Sequence, residues 1–180
     1  MREPKRVWIL DTSSLVEAKS ALSVADQWRT FKLLEDMVRG GSLAMPRLVI
    51  REISEIAHPD LPGAWAPGVR DIQQHPLDPQ WQHVQRVMSQ AGEVVDPNKT
   101  KDDADPYVLA LALQLLGDGY DARVVTEDRV DRNRIAVTTA CDRLAISHCS
   151  VRDFLTDLGI KTKKPNGDDA EGPSAFGQSC

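Results

Sequence analysis

The sequence predicts a three-layer α/β/α domain with a mostly parallel central sheet. Three observations carry this expectation. Short apolar runs alternate along the whole chain with amphipathic segments of helix length, the pattern of βα units. The apolar runs are continuous rather than alternating, as expected for strands covered by helices on both faces. The 180 residues are 41% hydrophobic and 27% charged, which suits one domain with a sizeable core.

Val7 to Leu10 is too short for a helix and suits a buried strand. It ends at Asp11-Thr12-Ser13-Ser14, a polar cluster able to cap the helix that follows. From Val24 to Val38, Trp28, Phe31, Leu34 and Val38 recur at helical spacing, and Gly40-Gly41 stops the run. A short strand over Ser42 to Met45 leads to Pro46, which opens a helix with Leu48, Val49, Ile53 and Ile56. His58 to Gly68 holds three prolines and two glycines and is expected to be an irregular loop.

A helix over Pro79 to Gln90 carries Trp81, Val84 and Met88 on one side. Residues 97–104 are polar and predict a loop. Asp105 then caps an apolar helix, Tyr107 to Leu116, with Pro106 at its first position. Ala122 to Thr126 predicts a strand, Thr138 to Leu144 a helix, Ala145-Ile146 the start of a last strand, and Val151 to Leu158 a last helix. Residues 1–160 are therefore expected to form one domain. From Lys161 onward Lys, Pro, Gly, Asp and Ser dominate, predicting a disordered tail over 161–180.

Composition removes several function classes. With 27 acidic and 22 basic residues the net charge is −5, unlike a protein that coats nucleic acid by neutralising phosphates. A nuclease survives this test, because carboxylates loaded with divalent cations become locally electropositive. Three cysteines (Cys141, Cys149 and Cys180) without CxxC spacing suggest neither a disulfide framework nor structural zinc. Cys141 and Cys149 are expected to be small buried hydrophobes. No signal peptide or membrane-length segment is evident, so a cytoplasmic protein without membrane association is expected.

The chemistry-bearing residues are acidic. In open parallel sheets ligands bind at the carboxyl ends of the strands. Asp11 follows the first strand, and Asp128 follows Val124-Val125-Thr126. Asp105 heads an apolar helix, and Glu52 lies in the helix opened by Pro46. Each alone is ordinary as a cap or surface charge. Together they would repel one another unless a cation were present, and hard divalent ions prefer such oxygens. Two such ions about 3.5–4 Å apart can support phosphodiester hydrolysis without His, Ser or Lys.

These residues carry a family resemblance. VWILDTSSLVEA resembles the opening strand of PIN domains, including the VapC-type toxin nucleases, with Asp11 as first ligand and Ser13 at a small-hydroxyl position. LVIREISEI, DADPYVLALAL and VVTEDR resemble the next three motifs, mapping to Glu52, Asp105 and Asp128. The resemblance spans roughly residues 6–160. It implies a metal-dependent endoribonuclease in which Asp11, Asp105 and Asp128 hold Mg2+ or Mn2+, with Glu52 binding metal directly or through water. It further implies a cognate antitoxin protein as partner, and a homodimer.

Glu55 is an alternative or assistant to Glu52, Glu127 an alternative to Asp128, and Asp102, Asp103 and Asp131 are possible outer partners. Arg51, Lys99, Lys101, Arg129, Arg132 and Arg134 are candidate phosphate contacts. Trp65 is a candidate for base stacking or for packing. His58, His75, His83 and His148 share no ligand spacing. A haloacid-dehalogenase phosphatase would need an Asp where Ser13 stands, and a receiver domain would need an acidic pair before its acceptor Asp and a later lysine after a strand, neither of which is evident. The remaining alternatives are a PIN-like RNA- or protein-binding module without catalysis and a housekeeping RNA-processing nuclease.

Overall fold

The chain's structure, a computed structural model, describes residues 3–98, 100, 102–128 and 132–163. Four parallel strands form one sheet in the order β2-β1-β3-β4: β1 (Arg6–Leu10), β2 (Leu43–Ala44), β3 (Asp121–Val125) and β4 (Ser147–Cys149). Among the described residues eight α-helices surround it. α1 (Thr12–Ser20), α2 (Val24–Arg39), α3 (Arg47–Ile56), α4 (Leu61–Val69) and α8 (Val151–Asp157) pack among themselves as one layer. α5 (Trp81–Ala91), α6 (Asp105–Gly117) and α7 (Val137–Leu144) form the other. This is the expected three-layer α/β/α architecture.

The sheet is buried on both sides, which is why its strands are apolar runs. Val7 and Ile9 are fully buried on one face, while Trp8, on the other, meets Phe154 of α8 edge to face at 5.1 Å. α6 packs against β1 and β3, and its residues from Val108 to Leu115 are all buried, so it is apolar around its whole circumference. α3 instead buries only Val49, Ile50 and Ile53, leaving its polar face to solvent. Asp11 caps α1 by accepting from the Ser14 amide, and Ser23 caps α2 by accepting from the Asp26 amide. No helix among the described residues is long and apolar enough to cross a membrane.

Several expectations are corrected. The segment 58–68 is not an irregular loop: most of it is α4. Pro62 sits in the first turn, where no amide is needed, and burial of Pro62, Gly63, Ala66 and Val69 overrides the poor helix propensity. Trp65 packs edge to face on Phe31 at 5.3 Å, so it belongs to the core margin. Trp28, Trp81 and Met88 lie on helical stripes but are 72%, 64% and 45% exposed, the inward stripe of α5 being Val84, Val87 and Ala91. Asp105 is the first residue of α6 and Ala104 its N-cap. The last strand begins at Ser147, after Ala145 turns the chain with φ 56°. Cys141 is buried and Cys149 half-buried. Residues 164–180, most of the predicted tail, lie outside the described residues.

Gly63 sets how closely α4 approaches the end of α3. A Cβ there would stand 2.5 Å from the His58 amide nitrogen and 2.6 Å from the Ala57 carbonyl carbon, both backbone. Gly63→Ala is therefore expected to cost about 1–3 kcal/mol in urea unfolding. Gly68→Ala, with nothing within 4 Å of its Cβ, serves as control and should be neutral or gain up to about 1 kcal/mol. Equal effects of the two substitutions would refute the close-approach explanation.

Candidate metal centre

After β1 the chain turns outward to β2, and after α6 it returns on the other side of β1 as β3. The crevice beyond the carboxyl ends of these strands is the usual ligand position in such sheets. Leu10 pairs with Val125, and the Asp11 amide donates to the Val125 carbonyl at 3.3 Å. Asp11 and the run Thr126-Glu127-Asp128 thus leave the sheet side by side. The start of α6 brings Asp105 to the same place, and α3 brings Glu52. All four line one open cleft of about 410 Å³.

Hydroxyl groups fix these carboxylates. Asp11 is 1% exposed and accepts from the Ser14 amide (2.7 Å), from the Ser13 hydroxyl (2.9 Å) and from the Thr126 hydroxyl. Ser13 in turn accepts from the Glu127 amide at 3.0 Å, tying α1 to the end of β3. Thr12 donates to Glu52 at 2.6 Å, linking the first motif to the second. Arg134 donates from Nη1 to Asp105 (3.0 Å) and to Asp128 Oδ2 (3.0 Å), and from Nη2 to Asp128 Oδ1 (2.5 Å). The Val137 amide, opening α7, also donates to Asp128 at 2.8 Å.

The other anticipated residues divide. Glu127 lines the cleft, but its Oε1 accepts from the Val151 amide (2.7 Å) at the start of α8. Asp103 lines the cleft and accepts from the Asp105 amide at 3.3 Å. Asp102 points away and pairs with Arg51 at 3.2 Å, and Glu55 is exposed outside the cleft lining. Arg132 is exposed, while Lys99, Lys101, Arg129 and Asp131 lie outside the described residues. His75 meets the Gly41 carbonyl and His148 meets Asp142, so neither faces the cleft. Sequence reasoning missed Glu17, Val16 and Ile56, which also line it. The available signal for Glu17 was its place four residues after Ser13 on α1, one turn along the same face.

Among the described residues seven carboxyl groups (Asp11, Glu17, Glu52, Asp103, Asp105, Glu127 and Asp128) face this cleft against one guanidinium, that of Arg134. Burial pushes the Asp11 carboxyl above its ordinary range despite the Thr126, Ser14 and Ser13 hydrogen bonds. Burial also pushes Asp105 well up, with Asp103, Asp11 and Asp128 adding repulsion that Arg134 only partly offsets. Burial lowers the Arg134 pKa, but the hydrogen bonds to Asp128 and the charges of Asp105, Asp128 and Asp103 outweigh it and leave it raised. Among the described residues no three His, Cys, Asp or Glu side chains converge as a ready-made metal cage. The donor set nevertheless fits a hard divalent ion: oxygen ligands only, crowded and underneutralised. Asp11, Asp105 and Asp128 would hold it, with Glu52 beside them.

A family model described as "Domain of unknown function (DUF4411)" matches residues 8–162. No curated protein matches the chain. Among solved structures, the crystal structure of PAE2754 from Pyrobaculum aerophilum is similar at a TM-score of 0.46 and 16% identity, over 86% of this chain and 96% of that one.

The electrostatics predict a stability signature. With its folded pKa raised, Asp105 keeps its proton longer in the folded chain than in the unfolded one. Stability is therefore lost as pH climbs from the unfolded value near 3.8 through the folded value, and the full penalty persists above it. In EDTA at pH 7, Asp105→Asn should melt higher than wild type, roughly 2–4 °C for each kcal/mol relieved in a chain of this size. The gap should close as pH falls to 3.8, the ordinary carboxyl value. A variant that melts at or below wild type at pH 7 would contradict the repulsion just described.

Proposed function

The chain belongs to the DUF4411 family, and for this member we propose a metal-dependent endoribonuclease of the PIN type that hydrolyses RNA phosphodiester bonds. One observation carries the proposal. Asp11, Glu52, Asp105 and Asp128 come from four separate stretches of chain and line a single cleft at the carboxyl edge of a parallel sheet. The toxin of a toxin–antitoxin pair is the narrower reading, with an antitoxin and a second copy of the chain as partners. It rests on the motif resemblance alone. A housekeeping RNA-processing nuclease would use the same chemistry.

A bound Mg2+ or Mn2+ would polarise the phosphodiester and make a water more acidic. The chain's own groups supply position. Ser13, Ser14 and Thr126 orient Asp11 from three sides, so its oxygens are aimed before any ligand arrives. Thr12 does the same for Glu52. The openness of the cleft to solvent suits a polymer strand, and Val16 and Ile56, 43% and 67% exposed, offer apolar surface beside the acidic groups.

A second reading has its own observation in favour. Arg134 already pairs with Asp105 and Asp128, as expected of a binding module in which the acidic residues have become structural. Cleavage separates the two. Labelled RNAs incubated with wild type and Mg2+ or Mn2+ should give discrete products that EDTA abolishes. Asp11→Asn should lose more than about 100-fold in rate, and Thr12→Val, which removes the hydroxyl that donates to Glu52, about 10-fold. RNA bound but uncut in every metal would favour the binding module. Cutting that survives EDTA and Asp11→Asn would place the chemistry elsewhere.

A further inference from the structure

We propose that Arg134 is a resident cation holding the place of the divalent ion, so that metal enters this site by exchange with the guanidinium. The inference deepens the nuclease reading above and rests on it. Asp128 has no free oxygen: Oδ1 accepts from Nη2 of Arg134, and Oδ2 accepts from Nη1 and from the Val137 amide. Asp105 Oδ2 accepts from the same Nη1 at 3.0 Å. Two of the four candidate ligands are thus joined through one planar fork, the geometry in which guanidinium recognises carboxylates best.

A hard divalent ion needs those same lone pairs. An ion taking them would displace those hydrogen bonds and meet the guanidinium charge at close range, so the apparent metal affinity is reduced by the fraction of molecules in which Arg134 holds the fork. The arrangement is built rather than incidental. The Arg134 side chain is 18% exposed, similar to Asp105 at 18% and Asp128 at 11%, unlike the surface pairs of this protein. Its backbone is anchored on the C-terminal side, where the Ile135 amide donates to the Glu93 carbonyl at 2.9 Å. Among the described residues it is the single basic side chain lining the cleft.

Exchange and a purely structural ion pair make different predictions for metal affinity. Mn2+ is titrated calorimetrically into the full-length wild type, Arg134→Gln and Arg134→Lys, each with its metal-free melting temperature recorded. Exchange requires Arg134→Gln to bind Mn2+ about tenfold tighter than wild type, within the usual range of coupling between sites. Its metal-free form should melt lower, because Asp105 and Asp128 lose their counter-ion. Arg134→Lys keeps the charge and so folds, but its ammonium lacks the two parallel N–H donors that grip both oxygens of Asp128. It should bind roughly threefold tighter than wild type. A lower melting temperature with no tightening in either folded variant would make Arg134 structural and overturn the proposal, while the metal site stands. If Mn2+ binds none of the three proteins, the nuclease reading falls and the exchange falls with it.

Discussion

The parallel pairing of Leu10 with Val125 is the contact on which the cleft depends. It brings the ends of two strands, 115 residues apart in sequence, to one edge, where the Thr126 hydroxyl reaches the Asp11 carboxylate. A register slip of one residue would turn Thr126 away and leave a buried carboxylate short of a donor, a costly state in the interior. The hydrophobic layers on both sides of the sheet hold that register. Packing of α6 against β1 and β3 brings Asp105 to the same edge. The polar site is in this sense a by-product of how the apolar strands align.

Gathering carboxylates this way works against folding. Asp11 and Asp105 are both held above their ordinary pKa, by burial first and then, for Asp105, by its acidic neighbours. A protein optimised only for stability would replace one of them. The compensations are visible: three hydroxyl-bearing residues around Asp11, Thr12 against Glu52, and one guanidinium across Asp105 and Asp128. They satisfy the oxygens without removing the charge.

Much of this was legible beforehand. Val7 to Leu10 and Val124-Val125 are strands because only helix-covered strands tolerate such unbroken apolar runs, and Asp11 directly after the first and Asp128 three residues after the second marked the edge. The convergence of Glu52 and Asp105 was legible through the motif resemblance more than through periodicity. What escaped had physical reasons. α4 is stabilised by tertiary burial of Gly63 and Ala66 that no local propensity encodes. Trp28 and Trp81 obey helical spacing, yet spacing alone does not say how wide the buried stripe is. The fork of Arg134 depends on a contact with Asp105 across 29 residues, which no local pattern encodes.

The sheet's rims differ from its centre. β1 and β3 have five residues each, whereas the edge strands β2 and β4 have two and three. An unpaired edge is a template on which a strand from another molecule can extend the hydrogen-bonded ladder. Here either rim offers at most a few backbone groups before the chain turns into a helix, too few to nucleate such growth. Among the described residues the sheet is thereby guarded against polymerising through its own edges, unlike side-chain faces of the helices, where geometry can close an association into a finite assembly.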